Sequence, residues 1–286
     1  MQVRPLLDEA RSVHDWMVEI RRELHQHPEL GYQEVWTSEF VRRKLEELGI
    51  PFRYPVAETG IIATLGTGDS PCVALRADMD ALPIHEEADV PFRSQSPGRM
   101  HACGHDCHTA MLLGAARLLR QRELQGTVKL FFQPAEEGGG GGRRMCEEGA
   151  LSEPRVERVF GLHVWPLLPT GNIGSRAGTF MAATSPLEIT VTGKGGHAAM
   201  PHLVHDPVVT AAKIVCELQT IISREVDPLQ SGVVSVTTIN GGEAFNVIPP
   251  SVRLTGTMRS LTVSGVEFLK ERVREIATHV AAANRC

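Results

Sequence analysis

Residues of metal-ligating type crowd one stretch, Met100-His101-Ala102-Cys103-Gly104-His105-Asp106-Cys107-His108, where three histidines, two cysteines and an aspartate fill nine positions. Thiolate and imidazole are the donors a borderline divalent ion takes at tetrahedral distances. Cys103 and His105, two apart in an extended loop, point the same way and can chelate one ion. Asp106, Cys107 and His108 are then spare or supporting groups. A Cys-x-His pair alone lacks the spaced second pair of a zinc finger, and in isolation it reads as a polar glycine loop. It gains weight from what the rest of the chain supplies.

Three further ligand-type positions each follow a short apolar run. Asp78 and Asp80 come after Cys72-Val73-Ala74-Leu75-Arg76, where either could orient a metal-bound imidazole or cap the turn that follows. Glu136 and Glu137 come after Val128-Lys129-Leu130-Phe131-Phe132-Gln133. Adjacent carboxylates at a strand end project in roughly opposite directions, which would set a ligand beside a general base. His163 ends the run Arg158-Val159-Phe160-Gly161-Leu162. Ligands of open α/β sheets gather outside the carboxyl ends of strands, so three such runs deliver their polar residues to one place. The glycines at 138–142 lack the Lys-Ser/Thr ending of a phosphate loop, and nucleotide binding is not expected.

The elements that must position these groups follow from periodicity. Leu6, Ala10, Val13, Met17, Ile20 and Leu24 mark one face of an amphipathic helix that stops before Pro28, and a second helix is expected over 34–48. His25 and His27, at the end of the first, read as structural. Gly60 to Leu65, Cys72 to Arg76, Gly126 to Gln133 and Arg158 to Val164 are nearly continuous apolar runs, as buried strands require. Helices are expected over 109–120 and around 144–148. From Leu187 the texture changes to alternation, Leu187-Glu188-Ile189-Thr190-Val191-Thr192, the mark of a strand with one wet face. A helix over 206–226, strands at 233–239 and 252–258, and a helix over 262–283 complete a β-α-β-β-α unit. A boundary near Ala182 is expected, with a metal-binding domain over 1–182 and a smaller two-layer α+β domain over 183–286.

A chain of 286 residues with 42% hydrophobic content can bury real cores. Its net charge of -5 and dispersed Lys and Arg exclude a nucleic-acid binder. The N-terminus is acidic where a signal peptide needs an apolar core, and nothing approaches a membrane span, so a cytoplasmic protein acting on a small molecule is expected. The six scattered cysteines read as free thiols with one or two ligands among them.

With these residues in hand, the chain closely resembles the M20 metallopeptidase family, in its amidohydrolase branch of aminoacylase-like, hippurate-hydrolase-like and auxin-conjugate-hydrolase-like enzymes. The segments that carry the resemblance are Arg21 to His25 with His27-Pro28-Glu29-Leu30, Arg76 to Pro83, Met100 to Asp106, Phe132 to Glu137, Gly161-Leu162-His163, Gly195 to Ala199 and Phe245 to Pro249. They run in family order over almost the whole chain. The resemblance implies an α/β metallopeptidase-like catalytic domain with a largely buried mixed sheet flanked by helices. It also implies a smaller lid and dimerisation domain, and hence a homodimer. It implies two divalent ions, of zinc, manganese, cobalt or nickel, held by Cys103, His105, Glu137 and His163. Glu136 matches the general base and Asp78 the carboxylate behind the ligands; His197 and Asn246, in the lid and dimerisation domain, match residues that reach a substrate across the dimer interface, His197 also helping to hold the oxyanion.

The expected activity is hydrolysis of an N-acyl amino acid by metal-activated water. In the family the chain returns to the catalytic domain after the lid, bringing another metal-binding histidine. Here it stops at Cys286 and His279 matches no ligand motif, so a truncated chain is expected. The competing expectations are a catalytically silent metal-binding or dimerising homologue and a dipeptidase.

Overall fold

The structure, a computed structural model, describes residues 3–286, and the side chains from Leu6 onward. It falls into two compact units that divide between Pro169 and Thr170. The boundary expected near Ala182 lies beside Ala183, where the first strand of the second unit begins; residues 170–182 form no helix or strand.

The first unit runs α1 (Val3–Ser12), α2 (His14–Gln26), α3 (Val35–Glu47), β1 (Phe52–Val56), β2 (Gly60–Gly66), β3 (Cys72–Asp78), α4 (His105–Leu119), β4 (Thr127–Gln133), α5 (Gly141–Glu147) and β5 (Val156–Gly161). Its five strands lie in the order β1-β2-β4-β3-β5. The β1/β2 and β2/β4 pairs are antiparallel, while β3 pairs parallel with both β4 and β5. The sheet is therefore mixed, and its three parallel strands end along one edge.

Burial follows the strand alternation. Phe132 joins Ile61, Leu130, Leu24, Val41, Leu45 and Leu113 in the core on one face, whereas its neighbour Phe131 packs with Val56, Ile62, Ala74 and Met145 on the other. Helix α4 contributes Ala110, Leu112, Leu113 and Ala116, spaced by one helical turn, to the first of these cores. The edge strand β5 leaves Val159 and Phe160 exposed.

Four local expectations change. The N-terminal stripe forms two helices, α1 and α2, broken at Val13, where neither glycine nor proline marks the break. Strand β1 was not anticipated: Pro51 and Pro55 mask it, and an edge strand tolerates proline because one row of its amides goes unpaired. Helix α4 begins at His105 rather than Thr109, so His105 belongs to a helix and not to an extended loop. Strand β5 stops at Gly161, two residues short of His163.

The second unit contains β6 (Ala183–Thr192), β7 (Gly196–His197), α6 (Pro207–Thr220), β8 (Gly232–Asn240), β9 (Val247–Ile248), β10 (Ser251–Ser260) and α7 (Val263–Ala283). Strands β6, β10 and β8 form an antiparallel sheet with β10 in the middle, and β7 pairs with β9. Leu187 and Val191 of β6, Leu254 and Met258 of β10, Ile214 and Leu218 of α6 and Leu269 of α7 share one core. The expected β-α-β-β-α order holds, with the small β7/β9 ladder added. Asp206 caps α6 by accepting from the Val208 and Val209 amides, and Thr262 caps α7 through the Gly265 amide. Among the described residues no helix is long and apolar enough to cross a membrane.

All three tryptophans, Trp16, Trp36 and Trp165, lie in the first unit, so their fluorescence reports its unfolding selectively. Leu113 is fully buried, and Leu113→Ala should cost about 2–5 kcal/mol in a urea titration followed by tryptophan emission. An unchanged midpoint would contradict the packing of α4 against the sheet.

Candidate metal centre

Four segments meet where the parallel strands end. Asp78 is the last residue of β3, Glu136 and Glu137 lie just beyond β4, His163 lies just beyond β5, and His105 opens α4. Gly104, between Cys103 and His105, has φ of 86°, and a Cβ there would meet the Val164 Cγ2 at 2.4 Å. Only glycine lets the chain turn so sharply into the helix while the His163 loop passes this close.

The expected ligands converge. Cys103 Sγ lies 3.3 Å from His163 Nε2, close to the donor separation of about 3.5 Å across a tetrahedral site. His105 Nε2 stands 3.9 Å from Glu137 Oε1 and 4.0 Å from Glu136 Oε2. Cys103, His105 and His163 form one group of potential ligands within 4.8 Å, and His105, Glu136 and Glu137 form another, with His105 common to both. The two glutamates sit in a turn and not on the strand itself, so both carboxylates approach His105 instead of projecting apart.

The imidazoles are prepared for a cation. His105 Nδ1 donates to the Asp80 carbonyl at 2.8 Å, and His163 Nδ1 donates to the Val164 carbonyl at 2.7 Å. A carbonyl can only accept, so the Nε2 lone pairs face the other ligands. His105 Nε2 is buried with no hydrogen-bond partner, as a nitrogen reserved for a metal would be. Burial first, then the Glu137 hydrogen bond and the negative charges of Glu137, Glu136 and Asp78, push the Cys103 thiol up to about 12. It becomes a thiolate when a cation offsets those charges. The donor set therefore fits divalent metal.

Glu136 is shifted upward by burial and by the charges of Asp78 and Glu137. A carboxyl raised in this way is better matched to moving a proton near neutrality.

The two aspartates divide their tasks. Asp80 orients His105, with its carbonyl at 2.8 Å and its Oδ1 at 3.3 Å from Nδ1, while its Oδ2 accepts from the Glu137 amide at 2.9 Å. Asp78 is occupied elsewhere: Oδ1 accepts from His108 Nδ1 at 2.5 Å, and Oδ2 accepts from Arg76 at 2.6 Å. Asp78 Oδ2 also lies 3.6 Å from His105 Nε2, on the ligand side of the ring. Burial alone would raise the Asp78 carboxyl. The His108 hydrogen bond, the neighbouring His105 ring and the Arg76 guanidinium instead hold it at about 2.

The sequence leaves His108 as either spare or supporting, and the structure makes it supporting. Its Nε2 accepts from the Val164 amide at 2.9 Å, so it ties the His163 loop to Asp78. Its place three residues after His105, on the same face of a helix, was the available signal. His25 lies in the last turn of α2, as expected, and its structural role comes from its contacts with two acids. It is buried between two carboxylates, with Asp106 Oδ2 at 2.7 Å and Glu86 Oε1 at 3.1 Å. Burial would lower it, but those two bonds prevail and raise it, which favours the imidazolium.

In the second unit, the β7/β9 ladder brings His197 and Asn246 together. His197 pairs with Val247, and the Ala198 amide donates to the Asn246 carbonyl at 3.0 Å. His197 Nδ1 accepts from the Ala199 amide at 3.1 Å, leaving Nε2 outward. His279 belongs to none of the potential ligand groups among the described residues; its Nδ1 donates to the Glu275 carbonyl within α7.

The sequence profile of peptidase family M20/M25/M40 matches residues 74–275. An IAA-amino acid hydrolase ILR1-like 2 of Arabidopsis thaliana is 54% identical over 285 residues, covering 98% of this chain and 64% of that protein. An N-acetylcysteine deacetylase of Bacillus subtilis is 44% identical over 276 residues, covering 95% of this chain and 72% of the relative. A crystal structure of the Bacillus subtilis YXEP protein, described as a dinuclear metal binding peptidase from the M20 family, superposes with a TM-score of 0.76. It is 40% identical, over 96% of this chain and 71% of that one. The chain thus spans about two thirds of the length of these proteins.

Two measurements check the site. Gly104→Ala forces the turn against Val164 and should weaken metal binding roughly 10- to 100-fold, read by competition with a chromophoric chelator. Unchanged affinity would show that this turn does not set the ligand positions. Asp78 contributes stability that is fully present above the ordinary carboxylate range, near pH 3.9, and is lost as pH falls toward about 2. Asp78→Asn should therefore cost about 2 kcal/mol in urea unfolding at pH 7 and progressively less in more acidic buffer.

Proposed function

Because this chain belongs to peptidase family M20/M25/M40, we propose that it is a metal-dependent amidohydrolase that splits N-acyl amino acids into a carboxylate and a free amino acid. The observation that carries the reading is the meeting of Cys103, His105, Glu137 and His163, both imidazoles presenting Nε2, with Glu136 4.0 Å from His105 and raised toward neutrality. Relatives named for hydrolysing an IAA-amino acid and for deacetylating N-acetylcysteine support an amide between an acyl group and an amino acid as the substrate.

In this reading Cys103, His105, Glu137 and His163 would hold a pair of divalent ions. When bound, such ions act as Lewis acids and bring the pKa of water toward neutrality. Glu136 takes the proton of the attacking water on its carboxylate and delivers it to the departing amine nitrogen. Asp80 keeps the Nδ1 proton of His105 engaged, so the ring neither rotates nor exchanges its tautomer during turnover. Arg76 neutralises Asp78, which limits the negative charge facing the substrate. His197, whose Nε2 is open, and Asn246 are the proposed substrate contacts of the second unit, with His197 donating to the oxyanion that develops on the amide. The free edges of β6 and β8 suit pairing with a second copy of the chain, which supports a homodimer through this unit.

The test is hydrolysis of a panel of acetyl, benzoyl and indole-acetyl amino acids and a dipeptide, alongside elemental analysis. Wild-type chain should turn over at least one acyl amino acid and lose that activity to a chelator. Glu136→Gln should keep its metal while losing roughly 100-fold or more in kcat. Turnover by the Gln variant near wild type would refute the base assignment, and metal-loaded wild type inert on every substrate would favour a silent metal-binding homologue.

A further inference from the structure

The segment Glu29-Leu30-Gly31-Tyr32-Gln33-Glu34 takes no part in the chemistry described above, yet it touches both turns that carry the carboxylates. The Glu29 carbonyl accepts from the Ala81 amide at 2.8 Å, and Leu30 bridges Ala81. Tyr32 Oη donates to the Gly139 carbonyl at 2.8 Å. Gly31 lies so close to Ala135 that a Cβ on it would come within 3.0 Å of the Ala135 Cα.

Glu34 is the unusual member. Its carboxylate is completely buried, with Oε2 accepting from the Thr59 hydroxyl at 2.7 Å and Oε1 from the Ala135 amide at 2.8 Å. It occupies the residue before α3, but its side chain does not cap that helix. Glu29 does so instead, accepting from the amides of Trp36 at 3.1 Å and Thr37 at 2.9 Å. A carboxylate with no capping duty is buried to accept from the Thr59 hydroxyl and from one amide 101 residues away.

That amide precedes the proposed base. Ala135 is buried with φ of 48°, in the left-handed region that a residue with a Cβ rarely enters. Glycine would adopt it freely and abounds just downstream, yet here it is alanine, so surrounding contacts must maintain the conformation. One residue further, the turn projects Glu136 and then Glu137 toward His105.

We propose that Glu34 is a positioning residue: its carboxylate holds Ala135 in the left-handed conformation and thereby aims Glu136 and Glu137 at the metal centre. The catalytic consequence rests on the reading of Glu136 as the base, whereas the structural consequence stands apart from it. The bond requires an acceptor oxygen at Oε1 and not a negative charge, so glutamine can replace glutamate and methionine, similar in volume, cannot.

The experiment compares wild type, Glu34→Gln and Glu34→Met by amide hydrogen exchange of the metal-free protein and by steady-state kinetics of the metal-loaded enzyme. In Glu34→Met the peptide covering 134–141 should exchange at least roughly ten-fold faster while the core of β4 keeps its protection. Its kcat should fall roughly 10- to 100-fold with KM changed less than about two-fold, as expected for a misplaced base. Glu34→Gln should stay near wild type in both assays. If Glu34→Met fails to fold, Glu34→Asp, which retains the charge but is one methylene too short, should show the same local opening. Unchanged exchange at 134–141 in Glu34→Met or Glu34→Asp would overturn the proposal, as would a Gln variant as impaired as the Met variant. The exchange arm needs no substrate, so an inert wild type would defeat the amidohydrolase reading while leaving the hold on Ala135 separately measurable.

Discussion

A single proton, shared between His105 Nδ1 and the Asp80 carbonyl, sets the terms for the rest of the first unit. It fixes the imidazole so that the opposite nitrogen is buried, without a partner and facing the other ligands. Asp80 can do this only because it stands in a turn held on both sides. Its Oδ2 accepts from the Glu137 amide, and the next residue is tied to Glu29. Orientation of the histidine and placement of the glutamates are therefore one constraint and not two.

The charge balance around this point explains why the groups are arranged as they are. Asp78, Asp80, Glu136 and Glu137 bring four carboxylates near the imidazole of His105 and the thiol of Cys103. Arg76 and His108 compensate Asp78 directly, and backbone amides and His105 compensate Asp80. Glu136, Glu137 and Cys103 are left facing each other, and the charge repulsion shows in the upward shifts of Glu136 and Cys103. Divalent cations would relieve what the chain itself leaves uncompensated. Behind the site, Asp106 and Glu86 enclose His25 and Arg21 reaches Asp106, so the first turn of α4 is anchored by charge on its far side as well.

The second unit solves a different problem with a smaller device. His197 and Asn246 are far apart in the chain, and two residues of pairing between β7 and β9 bring them together. Gly195, whose Cβ would meet the Ile248 carbonyl at 2.6 Å, permits that approach. The main sheet beside them is ordinary, and its alternation of Leu187, Ile189 and Val191 with Glu188, Thr190 and Thr192 could be read directly from the chain.

What the chain order alone determined was local. Apolar runs marked β2, β3, β4 and β5 and alternation marked β6, because side-chain period and burial are written in neighbouring residues. The proline-masked β1 and the break at Val13 lay beyond that signal. The Cys-x-His loop and the acids and histidine after the apolar runs stood out as candidate ligands, and their grouping into one ligand set came from the family resemblance. Tertiary structure alone decided which aspartate orients His105, that His108 spans Asp78 and the His163 loop, that His25 lies between two acids, and that Glu34 serves Ala135 instead of its own helix. Each of those contacts joins residues brought together by the strand order β1-β2-β4-β3-β5 and by the helices packed on it. Hydrogen-bond partners of that kind depend on which segments become neighbours in space, and no periodicity along the chain carries that information.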